Sequence, residues 1–248
     1  MDSLPKNPLI VIPARMASSR LPGKPLADID GMPMIVQVMR RAEEADIGPV
    51  LVACAEEEIA EAIRTAGGTA LMTRADHPSG SDRVFEAVEA FDPDGAYDAI
   101  INLQGDLPAL EPSAIAAVFQ PLQNVAVDIA TLVAEIKDEE ELEDENAVKA
   151  VVSLAEGESV GRALWFSRLK SPWGSGPHYH HIGLYAYRRG ALARFVTLSP
   201  APLEQRERLE QLRALENGMR IDAAVVDTVP LGVDTPEDLA RIRRMFRS

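Results

Sequence analysis

The feature that most constrains the fold is a regular exchange of short apolar runs with amphipathic stretches. Leu9–Ile12, Val50–Cys54, Thr69–Met72 and Tyr97–Leu103 are brief, apolar and bounded by turn residues, and they read as strands. Between them the apolar spacing lengthens. A helix opening at Gly31-Met32-Pro33 carries Met34, Ile35, Val38, Met39 and Ala42 on one face. A second carries Ile59, Ala62, Ile63 and Ala66 and closes at Gly67, and a third carries Val84, Phe85, Val88 and Phe91. This rhythm predicts an α/β fold with a mostly parallel, doubly wound sheet. Ligands of such sheets bind beyond the carboxyl ends of the strands. That rule selects residues 13–26, 73–81 and 104–108.

The first of these segments, Pro13-Ala14-Arg15-Met16-Ala17-Ser18-Ser19-Arg20-Leu21-Pro22-Gly23-Lys24-Pro25-Leu26, concentrates three cations and two adjacent hydroxyls without one carboxylate. Pro13, which cannot donate to a ladder, is expected to end the first strand. Net charge is −14, so an anionic ligand needs a local basic site, and this loop supplies one suited to a polyphosphate. The same net charge argues against nucleic-acid binding. Neither the Walker A spacing nor G-x-G-x-x-G is present. In the second segment, Thr73 to Arg83, charged and hydroxyl side chains precede a helix that Ser81 and Asp82 could cap. The full run resembles the base-recognition loop of a nucleotidyltransferase family, and mixed carboxylate, hydroxyl and backbone groups suit the donor and two acceptors of cytosine that this resemblance implies. In the third, Gln104-Gly105-Asp106-Leu107-Pro108, an Asp in a Gly-Asp turn is common without function, but at a strand's C-terminal end, facing a triphosphate, Asp106 becomes a candidate Mg2+ ligand.

Further along, 112–122 and 203–216 read as helices, and 127–134, 147–154, 163–167, 180–188 and 221–226 as strands. Residues 137–146 hold seven acids and read as a solvated face. His180 and His181 lack a third nitrogen or sulfur ligand, so an acid-sugar contact or strand packing fits them better than a metal. Thr235, Pro236 and Asp238 form a helix cap, with Asp234 just outside it. The single cysteine, Cys54, sits in an apolar run and reads as an inert core thiol in a reducing compartment. No basic n-region or membrane-span-length apolar run is seen, so no membrane partner is expected and a cytoplasmic location is.

Segments 12–26, 73–83, 104–108, 180–188 and 232–239 together resemble, in order, the signature motifs of the 3-deoxy-manno-octulosonate (Kdo) cytidylyltransferases. The run Arg20-Leu21-Pro22-Gly23-Lys24-Pro25 is the part that points to this branch. The resemblance implies a Rossmann-like nucleotidyltransferase fold, one domain over 1–248 with a smaller inserted dimerisation and sugar lobe near 146–200. It implies CMP transfer from CTP to Kdo with release of pyrophosphate, for lipopolysaccharide synthesis, by a Mg2+-dependent homodimer. Asp106 and Asp234 would hold the metal, and Arg15 and Lys24 would act with them on the phosphates. Pro13, Ala14, Arg74, Asp76, Ser79, Gly80 and Gln104 would complete the nucleotide site. Gln104, Arg168, His181, Tyr185, Glu210 and Gln211 would meet the sugar, and His77 would be a structural hydrogen-bonder. Two positions depart from the pattern: Leu107, where an acid is common, and Cys54-Ala55, where Thr-Asp is common. They are expected to spare the metal site and to tune affinity. A related acid sugar such as an amino-substituted Kdo, or a nucleotide-binding regulatory module without turnover, are the alternatives.

Overall fold

The computed structural model describes residues 5–18 and 20–247. In chain order it contains β1 (Pro8–Ala14), β2 (Asp28–Ile29), β3 (Met32–Pro33), α1 (Met34–Glu44), β4 (Val50–Cys54), α2 (Glu57–Thr65), β5 (Thr69–Met72), α3 (Gly80–Phe91), β6 (Ala99–Asn102) and α4 (Pro112–Ala117). There follow β7 (Ile129–Glu135), α5 (Glu139–Glu143), β8 (Lys149–Ser153), β9 (Val160–Ser167) and β10 (Tyr179–Arg188). The chain ends with α6 (Arg189–Thr197), α7 (Pro202–Glu207), α8 (Gln211–Glu216), β11 (Ile221–Val226) and α9 (Pro236–Phe246). Two compact units result among the described residues, 6–116 with 230–247, and 117–229 with Pro5. The expected lobe at 146–200 falls within the second.

In the first unit the strands run in the order β5-β4-β1-β6, all parallel. Leu9, Ile10, Val11 and Ile12 are fully buried, as expected for a parallel strand covered on both faces. Pro13 does not end β1, contrary to expectation, because its missing N–H falls on a side that needs no donor. Ile10 donates to Pro49 O and Ala14 O accepts from Ala55, so even-numbered residues bond β4. Pairing with β6 stops at Val11↔Asn102, so the ring at Pro13 interrupts nothing. The helix expected from Gly31 begins later, at Met34. Asp30 and Gly31 both take positive φ (52° and 82°) and make the two-residue turn of the β2–β3 hairpin, for which Asp-Gly is a strong signal.

The second unit is mixed. β7 and β11 are parallel, while β10–β7, β11–β9 and β8–β9 are antiparallel. β8 also pairs with β10 at Ala150↔Tyr179 and Lys149↔His180, so these strands close on themselves. Residues 112–122 are not one helix: α4 stops at Ala117 and a 3-10 turn covers Gln120–Gln123. Residues 203–216 are likewise broken, with Arg208 left-handed at φ 57° between α7 and α8. Arg168 donates to the Glu207 and Arg208 carbonyls there, which a continuous helix would have used internally. The acid run is less solvent-facing than its composition suggests. Glu141 bonds His180 at 2.5 Å, and the Asp144 carbonyl accepts from the fully buried Lys149 ammonium.

Glu204 ties α7 to α8. Its carboxylate accepts from Arg213 Nε and Nη2 (2.9 and 2.5 Å) and from the Ala201 N–H, with both side chains about one-tenth exposed. Burial pushes the Glu204 carboxyl up, but the Arg213 and Ala201 hydrogen bonds outweigh it and hold it lowered. A lowered carboxyl contributes stability that is complete above its unfolded value of about 4.3 and is lost as pH falls through the folded one. Glu204→Ala removes the two-point partner of Arg213 in a nearly closed site, with Glu210 Oε1 still 3.8 Å away, and should cost roughly 3 kcal/mol in urea denaturation. The variant's stability should also fall less steeply than the wild type's between about pH 5 and pH 3.

Candidate active site

The loop after β1 is shaped by its own backbone. Leu21 N–H donates to Ser18 Oγ (3.3 Å), Lys24 N–H to Leu21 O, and Gly23, at φ 70°, makes the reversal that starts a 3-10 turn at Lys24. Ser19 lies outside the described residues. Leu21 and Ala27 pack on a cluster of Ile29, Met34, Val233, Leu239 and Ile242, which fastens this loop to the start of α9. Val233 N–H donates to Asp106 O at 2.9 Å, so the 104–108 turn joins the same assembly. Gly105 allows it: a Cβ there would meet Pro13 O and Ile35 Cδ1 at 3.1 Å. The product is an ion cluster. Lys24 Nζ lies 2.8 Å from Asp106 Oδ2 and 3.1 Å from Asp234 Oδ1, and Arg20 Nη2 lies 3.0 Å from Asp234 Oδ2. Burial lowers the Lys24 pKa, but Asp106 and Asp234 more than reverse this and hold it raised. Asp234 does not cap α9; Thr235 and Asp238 do so, in a reciprocal box.

This cluster borders a cavity of about 350 Å³ lined by Pro13, Ala14, Arg15, Lys24, Gln104 and Asp106, and on its other side by His77, Ser79, Gly80 and Arg83. Most of the expected nucleotide residues are therefore brought together. Arg74 and Asp76 are not: they pair with each other on the surface, Nε to Oδ1 at 3.1 Å, and do not line the cavity. Ser79, rather than Ser81 or Asp82, caps α3, accepting from Asp82 N–H and donating to Asp82 Oδ2. His77 is the structural hydrogen-bonder expected, pairing with Glu86. Arg83 was not expected here. An arginine on the buried stripe of a helix, beside Val84, Ala87 and Val88, was the available signal. Cys54 is buried, which pushes its thiol up to about 12 and makes it no nucleophile.

Four of the expected sugar residues gather in the second unit. His181, Tyr185 and Gln211 adjoin, with His181 and Tyr185 rings 5.5 Å apart and Gln211 Nε2 3.5 Å from His181 Nδ1. Glu210 precedes Gln211 at the start of α8. Thr131 Oγ1 lies 3.0 Å from His181 Nε2 and 3.0–3.1 Å from the carbonyls of Ile182 and Leu184. The hydroxyl has one proton, which goes to a carbonyl, so its oxygen accepts from His181 Nε2–H and Nδ1 is left as acceptor for the Gln211 amide. Burial, then the neighbouring His180, pushes His181 down to about 3. The ring is neutral. Burial, then Tyr187 and Glu210, pushes the Tyr185 phenol well above its ordinary value. Arg168 does not join this group, since its guanidinium bonds the carbonyls of Glu145, Glu207 and Arg208. His180 turns to Glu141 instead, so the two histidines share no ligand.

A parallel sheet with cations, hydroxyls and two carboxylates gathered beyond its strand ends is the arrangement of a nucleotidyltransferase. The family profile described as Cytidylyltransferase matches residues 9–221. The chain is 64% identical to the 3-deoxy-manno-octulosonate cytidylyltransferase of Paramagnetospirillum magneticum over 98% of each chain, and 64% identical to that of Rhodospirillum centenum over 99% of this chain and 96% of the other. Among solved structures it matches a CMP:2-keto-3-deoxy-manno-octonic acid synthetase complexed with CTP, at 39% identity and TM-score 0.89, over 97% of this chain and 98% of that one. The chain belongs to the 3-deoxy-manno-octulosonate cytidylyltransferase family.

The His181 assignment has a direct spectroscopic outcome. Long-range nitrogen–proton correlation spectra should show its imidazole as the neutral Nε2–H tautomer from about pH 8 down to about pH 5. Because the folded value, about 3, lies below the unfolded one of about 6.5, this histidine favours the folded state above pH 6.5. That contribution is lost progressively as pH falls toward 3. A His181 that titrates near pH 6.5 would refute the hydrogen-bond assignment.

Proposed function

We propose that the protein joins CMP from CTP to Kdo and releases pyrophosphate, the activation step that supplies this acid sugar to lipopolysaccharide. The observation that carries the reading is the meeting of Lys24, Asp106 and Asp234 beside the cavity under Arg15, within a chain of this family. The sugar's anomeric hydroxyl attacks the α-phosphorus, a new O–P bond forms, the bond to the β-phosphate breaks with pyrophosphate leaving in line, and the hydroxyl proton is released to solvent. Arg15 and Lys24 offer charge-assisted hydrogen bonds to the phosphate oxygens, and Pro13, Ala14, Ser79, Gly80 and Gln104 enclose the nucleoside. Arg74 and Asp76 are proposed for the rim of the same site. In the second unit, His181 and Tyr185 with Glu210 and Gln211 offer hydroxyl, amide and carboxylate partners for a polyhydroxylated acid, and Arg168 contributes by fixing the backbone around them.

Asp106 and Asp234 suit Mg2+. Their oxygens already converge on one small cation, the Lys24 ammonium, and two carboxylates with substrate phosphates form a hard-oxygen donor set. No cluster of three or more His, Cys, Asp or Glu exists among the described residues, so the phosphates would have to complete the coordination. When bound, the ion would offset charge building on the triphosphate in the transition state. A homodimer is also proposed, and the exposed Leu164, Leu169 and Trp173 on and after β9 support it. A cytoplasmic setting is supported by the single buried thiol. Among the described residues no helix is long and apolar enough to cross a membrane.

Pyrophosphate release should require CTP, Kdo and a divalent cation together, and a chelator should abolish it. Asp234→Asn keeps the turn geometry but removes a charge whose interaction strengthens in the transition state. We expect kcat to fall roughly a hundred-fold or more, since metal stabilisation is worth several kcal/mol at about 1.4 kcal/mol per factor of ten. Asp106→Asn should behave alike, and the double variant should lose less than the product of the two. A folded Asp234→Asn enzyme with near-normal turnover at saturating Mg2+ would overturn the metal assignment. Light scattering at micromolar concentration should give twice the chain mass.

A further inference from the structure

Among the described residues Arg83 forms no ion pair with a carboxylate. It is 2% exposed on the first turn of α3, yet it lines the cavity. Among the described residues its partners are two neutral oxygens: Nη1 donates to Thr73 Oγ1 at 2.7 Å and to the Arg74 carbonyl at 2.9 Å. Glu56 and Glu86, two acids that act on it electrostatically, are engaged elsewhere, Glu56 with the Met16 N–H and Glu86 with His77 and the Arg74 N–H. Arg15 adds like-charge repulsion, and burial with that repulsion lowers the Arg83 pKa. A buried charge without an ionic partner is costly, so a position that retains one calls for an acceptor that arrives from outside. The guanidinium has five N–H groups, of which Nη1 holds two. The other three N–H groups have no hydrogen-bond partner among the described residues, none of its nitrogens is among the sealed, unpartnered polar atoms, and the residue lines the cavity.

We propose that Arg83 is a specificity-determining residue that reads the pyrimidine, its remaining N–H groups donating side by side to N3 and O2 of cytosine. This rests on the CTP reading above. Cytosine offers those two acceptors in adjacent positions, which match the planar fork of an arginine, whereas uracil presents an N3–H donor there. The position also favours the base over the phosphates. Both anchors of the guanidinium belong to Thr73 and Arg74, in the segment after β5, whereas Arg15 and Lys24, the cations assigned to the phosphates, lie on the loop after β1. Held at two points, the fork is fixed before the ligand arrives, and mismatched uracil would leave a buried donor facing a donor.

The test compares wild type, Arg83→Gln and Arg83→Lys in two assays. One measures kcat/KM for CTP against UTP by pyrophosphate release with Kdo, and the other measures equilibrium binding of CMP against UMP. Glutamine can both donate and accept, and lysine keeps the charge without the fork. Both variants should therefore lower the cytosine-over-uracil ratio, by roughly ten- to a hundred-fold in each assay. Equal weakening of both nucleotides, with the ratio unchanged, would overturn the proposal and make Arg83 a phosphate anchor or a scaffold residue. Wild-type protein that binds CMP and UMP alike would also overturn it. If Arg83→Gln fails to fold, as judged by circular dichroism, Arg83→Lys decides. Wild type that selects CMP but releases no pyrophosphate would sink the functional reading instead, and the binding ratio would still decide the role of Arg83.

Discussion

The first unit depends on one electrostatic arrangement, an ammonium near the start of the chain held between a carboxylate from its middle and one from near its end. Lys24, Asp106 and Asp234 are 16%, 30% and 48% exposed. Lys24 is thus the most desolvated member, and an unpaired ammonium there would be costly. Two carboxylates placed this close would repel each other if it were removed. With Arg20 on the outer oxygen of Asp234 the cluster is two positive and two negative, so it balances itself. Assembly of these charges is left to apolar contacts: Leu21 and Ala27 pack with Val233 and with Leu239 and Ile242 of α9. Hydrophobic burial supplies the association, and the ions fix its register.

That balance sets the charge available to a ligand. Arg20 and Lys24 are neutralised locally, while Arg15 and Arg83 line the cavity and form no ion pair among the described residues. The cavity is therefore positive although the whole chain carries a net charge of −14. At physiological ionic strength charges are screened beyond about 8 Å, so the acidic exterior does little to a nucleotide already at the cavity mouth. Specific binding of an anion by an acidic protein needs this kind of segregation, with the basic residues held in one loop and one helix.

Most of the first unit could be read from the sequence because its signals are local. Strands β1, β4 and β5 and helices α2 and α3 follow apolar spacing directly, and the loop after β1 announces itself by charge. What could not be read depends on distant partners. The break between α7 and α8 needs Arg168 from another element to take the freed carbonyls, and no spacing rule contains that. The same interaction removes Arg168 from the sugar group, since its guanidinium is already occupied. Arg74 and Asp76 were legible as chemistry but not as geometry. Two residues apart on an exposed loop, they satisfy each other. Arg83 was the reverse case, a polar residue on an apolar stripe whose meaning appeared only when the cavity did. The Asp30-Gly31 turn was simply a local signal left unread.

The two departures from the family pattern can be weighed by where their side chains sit. Ala55 continues β1–β4 pairing, its N–H donating to Ala14 O, so its backbone is fixed regardless of side chain. Leu107 follows Asp106 and is only 9% exposed. A Cβ at Gly232 would lie 3.7 Å from Leu107 Cδ2, so the leucine sits directly beside the segment that carries Asp234. One residue later, Val233 N–H binds the Asp106 carbonyl. Leu107 is therefore a brace on the contact that holds the two carboxylates together, placed where an acid would have to be accommodated against a buried backbone. Substituting an acid at this position would trade apolar burial for charge beside Asp106, and that charge would have to be offset by the same Lys24. The observed geometry balances without it, which is the physical reason a leucine can stand here.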